Sequence, residues 1–443
     1  MAKKNRIVPR NSDQYEQLAS EYVIKRTPEL DMAAESAHKL YNCALYQLRQ
    51  SFIKRREWLN YSQLDTAFKT KYRNRENMLY HALPYVQSAQ QTLRETATIW
   101  QAWSKSLKAY RVCPEKFSGR PRMPKYLKQG QRHTFYVTNQ NAKIKDGYLV
   151  IPKLKLNLQL APGITKIGRV AFKPLAYGYK VIVPCKTGLT IKYLEDNGKY
   201  LGIDPGVDNG FACATNSGQR PLLINGRSLK SINQYYNKER ARLKMLQAQY
   251  HQLETVINTK QGPKPVYQET HAMRRLTDWR NAKIKQFAHK ASKRIVEYAL
   301  NCGTNTIIIG KNKSWKRSAN MGKKNNQNFI GIPHQTMINM IKYKANLVGI
   351  TVIQTNESYT SQTSALDHEA PCWNNGNVSR KKQGKSPNAR RIKRGLFKAN
   401  DGTLINADVN GALQIIKKVF PKFSFDDGIA GIVLRPVKWS PLI

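Results

Sequence analysis

The sequence predicts an α+β multidomain protein: a helical region, then a small β-barrel, then an α/β domain built on parallel strands. Three changes of pattern predict it. Apolar residues recur at three and four through residues 30–112, the period drops to two between about 134 and 195, and beyond 200 apolar strands alternate with helices. A length of 443 residues fits two to three domains with ample core.

Charge narrows the partners. The chain carries 75 Lys and Arg against 28 Asp and Glu, a formal charge of +47. Such a surface repels itself unless a polyanion is bound, so nucleic acid is the expected partner. No apolar run approaches the length of a membrane span, and the basic residues are spread along the chain, so no membrane association is expected. The N-terminal "MAKKNRIVPR" lacks the apolar stretch of a signal peptide, which predicts a cytoplasmic protein. The six cysteines form no C-x-x-C pair, which argues against a complete zinc ribbon and against disulfides.

Taken in order, "DMAAESAHKLYNCALYQLRQSFIKRR" and "YVQSAQQTLRETATIWQAWSKSLKAYR" predict amphipathic helices with basic outer faces. "CPEKFSGRPRMPKYLKQGQRH" ends them with Pro and Gly. "TFYVT", "GYLVIP", "LKLNLQL", "GRVAF" and "YKVIVP" are the short alternating strands that suggest the barrel. "YLGIDPGVDNGFACAT" reads as strand, tight turn and strand. Residues 229–258 predict one long basic helix, with Ile232, Leu243, Leu246, Tyr250, Leu253 and Ile257 on its stripe. "NAKIKQFAHKASKRIVEYAL" predicts another. Both stripes read as core-facing, with polar faces free to follow a phosphate backbone. "TNTIIIG", "QTMINMIKYKANLVG", "ITVIQTNE" and "NADVNGALQIIKKV" then alternate strand and helix, which implies a parallel core.

Three acids stand where ligands gather in such sheets. Asp204 ends one strand, Glu357 ends another, and Asp408 opens the final helix. Glu357 is conspicuous because residues 298–356 contain no Asp or Glu. Taken singly, Asp204 reads equally well as a turn residue, Asp408 as a helix cap and Glu357 as a solvated loop acid. Together, in a basic chain, they are what a metal-dependent phosphodiester hydrolase needs. Carboxylate oxygens suit Mg²⁺ or Mn²⁺, and a pair of ions activates water and stabilises the leaving oxygen. His81 and His334 have no metal-like spacing and receive no catalytic role.

The blocks "LGIDPGVDNGFACATNSG", "HKASKRIVEYA", "TIIIGKNKSWK", "ESYTSQTSALD", "RRIKRGLF" and "INADVNGALQI" resemble, in order, those of the transposon-associated TnpB proteins. "FSGRPRMPKY" adds a weaker likeness in the N-terminal half. The resemblance implies an RNA-guided DNA endonuclease related to type V CRISPR effectors. It implies a recognition lobe over 1–195, with parts of a wedge-type barrel at 1–29 and 113–195 around a helical insert at 30–112. It further implies an RNase H-like (RuvC) nuclease domain over 196–443, with a helical segment at 228–300 and a nucleic-acid-binding insert at 358–404. The implied partners are a guide RNA from the transposon end and double-stranded target DNA beside a short motif. The implied setting is a prokaryotic cytoplasm, on the nucleoid.

Two departures matter. The strand matching "TIIIG" ends in a catalytic Glu in most relatives, and here Gly310 and Lys311 follow it. Adjacent strands lie about 4.8 Å apart, so Glu357 on the neighbouring strand is expected to substitute as metal ligand, with Asp367 and Glu369 as weaker candidates. Many relatives carry a zinc ribbon between the last blocks; this chain has only Cys372 with His368 there, so zinc is not expected. That segment is Gly-, Asn- and base-rich, and Arg390, Arg391 and Arg394 are expected to contact phosphates. Two alternatives stay open: an RNA-guided repressor without nuclease activity, and a miniature type V CRISPR effector.

Overall fold

The computed structural model describes residues 15–69, 75–250, 253–259, 262–267, 269–311, 326–327, 330–358, 360–361, 363–369, 390–393, 395–421 and 429–441. The chain divides into two compact units between Leu189 and Thr190.

The N-terminal unit opens with β1 (Tyr15–Lys25) and four helices, α1 (Pro28–Arg55), α2 (Tyr61–Lys69), α3 (Arg75–His81) and α4 (Val86–Val112). Strands β2 (Phe135–Val137), β3 (Lys143–Lys145), β4 (Tyr148–Ile151), β5 (Leu156–Gln159), β6 (Lys166–Ile167), β7 (Val170–Pro174) and β8 (Gly178–Thr190) follow. One sheet has the order β1-β8-β7-β2, with β6 also on β8, and a second is the meander β3-β4-β5. The helices are therefore inserted between the two edge strands of one sheet. Helix α1 begins where the Thr27 hydroxyl accepts the Leu30 N–H, with Pro28 at the first helical position. It ends at Arg56, which adopts a left-handed φ of 59°. Helices and sheet share one core, in which Leu40, Leu45 and Trp100 pack with Phe135, Phe172 and Val181. Phe135 faces Phe172 across the β2–β7 ladder, their rings stacked at 4.8 Å.

The second unit is built on β9 (Tyr200–Pro205), β10 (Asn209–Thr215), β11 (Leu222–Asn225), β14 (Thr306–Gly310), β15 (Thr351–Thr355) and β19 (Val437–Trp439). They form a sheet of order β15-β14-β9-β10-β11-β19. β15, β14 and β9 are parallel, as the apolar runs predict. β10 is antiparallel to both neighbours because a tight turn joins it to β9, and so short a link permits no crossover. On one face lie α6 (His271–Asn301) and α7 (His334–Leu347), whose Phe287, Ile295 and Ile338 pack on Ile203, Phe211 and Ile307. On the other face lies α8 (Ala407–Val419), whose Ala412 meets Ala212 and whose Ile415 meets Ile308. α8 comes very close to β9: a Cβ at Gly202 would stand 2.0 Å from the Ala412 carbonyl oxygen. Only glycine fits there, so α8 is seated directly on the strand that carries Asp204 near its end.

The long helix expected over 229–258 is shorter. α5 (Arg227–Tyr250) stops, and β12 (Leu253–Thr259) pairs with β13 (Gly262–Tyr267) as an antiparallel hairpin. Leu253 and Ile257 therefore belong to a strand rather than to the helical stripe, and Tyr250 is exposed. The physical reason lies in the residues: Thr255, Val256 and Ile257 are consecutive β-branched side chains, and Pro263 and Pro265 bar a helical continuation. The expected 228–300 helical segment is thus two helices around a hairpin. The unit ends with β16 (Arg390–Lys393), β17 (Leu396–Lys398) and β18 (Leu404–Asn406) in one small sheet before α8, and α9 (Ile429–Val433) before β19. No helix among the described residues is long and apolar enough to cross a membrane.

Candidate functional site

Helix α8 organises the three acids found in the sequence. Its N-cap is Asn406, whose side-chain oxygen accepts the N–H of Asp408 (3.0 Å) and of Val409 (3.2 Å). Asp408 thereby sits in the first turn, where the helix dipole favours a carboxylate. Asn209, at the start of β10, donates its amide to Asp408 Oδ2 at 2.8 Å.

Asp204 lies over the next turn: a Cβ at Gly411 would be 2.7 Å from its Oδ2. Glu357 lies one turn further. A Cβ built on Gly310 would be 2.5 Å from Ile415 Cδ1, 3.0 Å from Glu357 Cβ and 3.1 Å from Glu357 Oε2. Gly310 pairs with Thr355, and the Lys311 N–H continues the ladder to the Thr355 carbonyl at 2.7 Å. On its other side β14 pairs Ile309 with Ile203, so Gly310 comes level with Asp204. The three carboxylates are thus marked off by helix positions 408, 411 and 415. That spacing of three and four is one face of an α-helix.

The space that a side chain at 310 would fill is occupied by the Glu357 carboxylate. Its Oε2 is buried and has no hydrogen-bond partner among the described residues. Burial pushes the Glu357 carboxyl up to about 7, with the ammonium of Lys418 pulling the other way. Burial also lowers the Lys418 pKa, and its Nζ donates to the Ser358 carbonyl at 2.9 Å. An unpartnered buried carboxylate is a poor structural element and a good cation acceptor. The donor set is hard oxygen, which fits Mg²⁺ or Mn²⁺. Among the described residues no three His, Cys, Asp or Glu stand close enough to hold one ion between them.

The turn after Asp204 is held from several sides. The Gly206 N–H donates to the Gly210 carbonyl at 3.2 Å, and the Gly226 N–H to the Asp208 carbonyl at 2.8 Å. Lys230 of α5 pairs with Asp208. His334, the first residue of α7 and almost fully buried, places Nε2 3.1 Å from the Gly206 carbonyl oxygen. Sequence reasoning left His334 and Asn209 without roles. No spacing signal could have found His334, whereas Asn209 stands inside the "DPGVDNG" block and was legible there.

The weaker candidates have other work. Both carboxylate oxygens of Asp367 accept the Asn400 N–H at 3.1 Å, and Glu369 Oε2 accepts the Ser364 N–H at 2.8 Å. Asn410 of α8 ties the same turn down, bonding Ala365 and Thr363 at 2.8 Å each. Asp367 and Glu369 therefore close a loop. The backbone of Arg390 and Arg391 lies in β16, but their side chains, like all of Arg394 and Cys372, lie outside the described residues.

Comparison with known proteins agrees with the sequence blocks. Residues 179–316 match the OrfB_IS605 family, described as a probable transposase, and residues 334–415 match the TNB domain of the Cas12f1-like family. Over these two segments the chain is similar to those two families. No curated protein matches it. Among solved structures it is similar to Cas12f1 in a complex with sgRNA and target DNA, at 16% identity and a TM-score of 0.33, covering 92% of this chain and 100% of that one. It is also similar to the mini-RNA-guided endonuclease CRISPR-Cas_phi3, at 10% identity and a TM-score of 0.41, covering 93% of each chain.

Proposed function

We propose that this protein is an RNA-guided, divalent-metal-dependent DNA endonuclease of a mobile element, cutting double-stranded DNA beside a short motif. The C-terminal unit is then an RNase H-like (RuvC) nuclease domain, and the N-terminal unit a wedge-type β-barrel with a helical recognition insert. Sequence selection falls to a guide RNA from the transposon end, which pairs with the target strand, while the basic protein surface holds phosphates.

The observation that carries this reading is the Glu357 carboxylate. Glu357 is half-buried, its Oε2 is fully buried with no hydrogen-bond partner among the described residues, and it fills the space over Gly310, on the strand beside the one that carries Asp204 near its end. Asp204, Glu357 and Asp408 would share out two Mg²⁺ or Mn²⁺ ions between them, which would supply Lewis-acid activation of water and stabilisation of the leaving oxygen. The protein's own part is to fix the carboxylates along α8.

A second reading, RNA-guided DNA binding without cleavage, is favoured by Gly310 at the usual catalytic position and by the lack of a three-acid cluster among the described residues. The deciding experiment purifies the protein with its copurifying RNA, sequences that RNA, and supplies a plasmid that matches it together with Mg²⁺. Linearisation beside a fixed short motif is expected. Tight, guide-dependent binding with an intact plasmid would establish the repressor instead.

A further inference from the structure

We infer that Asn209 is a positioning residue for the metal site, setting which oxygen of Asp408 is free to face a divalent cation. The inference rests on the metal reading of the carboxylates. Its own support is geometric: the Asn209 amide donates to Asp408 Oδ2 at 2.8 Å, across 199 residues of sequence. No second side-chain donor reaches Asp408 among the described residues, so one oxygen is engaged and the other stays available. A carboxylate pinned at one oxygen loses its χ2 freedom. It then offers a cation a fixed single oxygen, as hydrogen bonds to ligating carboxylates do elsewhere.

Asn209 is itself held in place. The ladder between β10 and β11 shifts register between Asn209 and Phe211, and Asn209 pairs with Asn225 at that irregularity. Such bulges re-aim a side chain. The turn before it is gripped by Lys230 on Asp208 and by His334 on the Gly206 carbonyl. The first turns of α5 and α7 therefore fix the backbone that presents Asn209, and the first turn of α8 receives its amide. Asp204, at the other end of the same turn, is fixed by the same contacts. The "DPGVDNG" block thus contributes one acid directly and orients a second through its asparagine.

The test measures Mn²⁺ binding by calorimetry on the RNA-loaded protein, for wild type, Asn209→Ala, Asn209→Ser and Asp408→Asn. Cleavage is followed against Mn²⁺ concentration, and thermal melting without metal reports folding. Asn209→Ala is expected to weaken Mn²⁺ about 10- to 100-fold, as loss of an outer hydrogen bond does. Its cleavage rate should return towards wild type at saturating Mn²⁺, and Asn209→Ser, which keeps a donor, should fall between the two. Wild-type Mn²⁺ affinity in Asn209→Ala overturns the inference, whether or not the melting point drops. Asp408→Asn separates this failure from that of the underlying reading. If Asp408→Asn binds Mn²⁺ as wild type does, the metal site itself is misassigned. If it loses the ion and Asn209→Ala does not, Asn209 alone is.

Discussion

Two sheltered carboxylates, one in each unit, are treated in opposite ways. In the N-terminal unit Asp31 accepts from Arg26 Nε at 2.7 Å, Arg132 at 2.8 Å and the Tyr179 hydroxyl at 2.7 Å. Burial alone would raise its pKa, but hydrogen bonds from Tyr179, Arg26 and Arg132 outweigh it and hold the carboxyl below its ordinary range. In the C-terminal unit Glu357 has a buried oxygen with no donor, and burial raises its pKa with only Lys418 opposing. Asp31 ties α1 to β8 and spends its charge inside the fold. Glu357 keeps its charge unspent, at a cost in stability that a cation would repay. That contrast separates an acid engaged inside the fold from one with an oxygen left open more sharply than either position's place in the sequence.

The comparison breaks first at catalysis. Glu357→Gln keeps shape and removes charge, so cleavage should fall roughly 10³-fold, as should that of Asp204→Asn and Asp408→Asn, since a bound divalent ion supplies several kcal/mol to the transition state. Copurified RNA and target binding should be unchanged in all three. Full cleavage by Glu357→Gln in a gel assay would remove it from the mechanism.

Asp31→Ala should do the reverse, leaving cleavage chemistry alone and unfolding the N-terminal unit more easily. It removes the carboxylate partner of Arg132, whose side chain is only 12% exposed, and leaves it the Leu175 carbonyl beside an emptied pocket. The expected loss is about 4 kcal/mol, the scale for breaking a sheltered ion pair from one side. Hydrogen exchange in α1 and β8 reads it, and protection equal to wild type would show that the three donors do not depend on Asp31.

A third difference lies in pH. The carboxyl of Glu357 goes from an ordinary 4.5 when unfolded to about 7 when folded. Between those values the folded state binds more protons than the unfolded one, so stability falls as pH rises, and the penalty is complete above about 7. The gap corresponds to about 3 kcal/mol at most. Metal-free wild type should therefore lose melting temperature from pH 5 to pH 8 by more than Glu357→Gln does, and Mg²⁺ should narrow the difference. Parallel melting curves for the two proteins would contradict this.

How far all this was legible depends on how local each cause is. The sheet strands, α8 and the places of Asp204 near a strand end and Asp408 in a first helical turn could be read because apolar periodicity and turn chemistry act within a few residues. The placement of Glu357 could be anticipated only through the adjacency of β14 and β15, a tertiary fact that the paired registers of Gly310 and Thr355 now supply. The hairpin after α5 was missed because its apolar residues satisfy a helical stripe as well as a strand face, and the β-branched run and the two prolines outweighed that stripe. His334 was not legible at all. Its partner is a backbone carbonyl 128 residues away, and carbonyls carry no sequence signal.

The smallest effect tests whether positions 310 and 357 share one space. Gly310→Glu added to Glu357→Gln returns a carboxylate to the position usual in relatives, but the new Cβ would stand 2.5 Å from Ile415 Cδ1 and 3.0 Å from the Cβ of residue 357. That crowding should cost about 1–3 kcal/mol, the usual scale of overpacking, and leave the double variant nearly inactive. Removing both obstacles gives the informative chain, Gly310→Glu with Glu357→Ala and Ile415→Val. Its carboxylate enters the space that Glu357 vacates, from a strand level with Asp204. A small part of the wild-type rate should return, with Mn²⁺ before Mg²⁺, because Mg²⁺ demands near-ideal octahedral geometry. Glu357→Ala with Ile415→Val, lacking the new acid, should stay inactive. Equal rates for the two chains would mean that no carboxylate entering from position 310 reaches the site, and that the two positions are neighbours without being interchangeable.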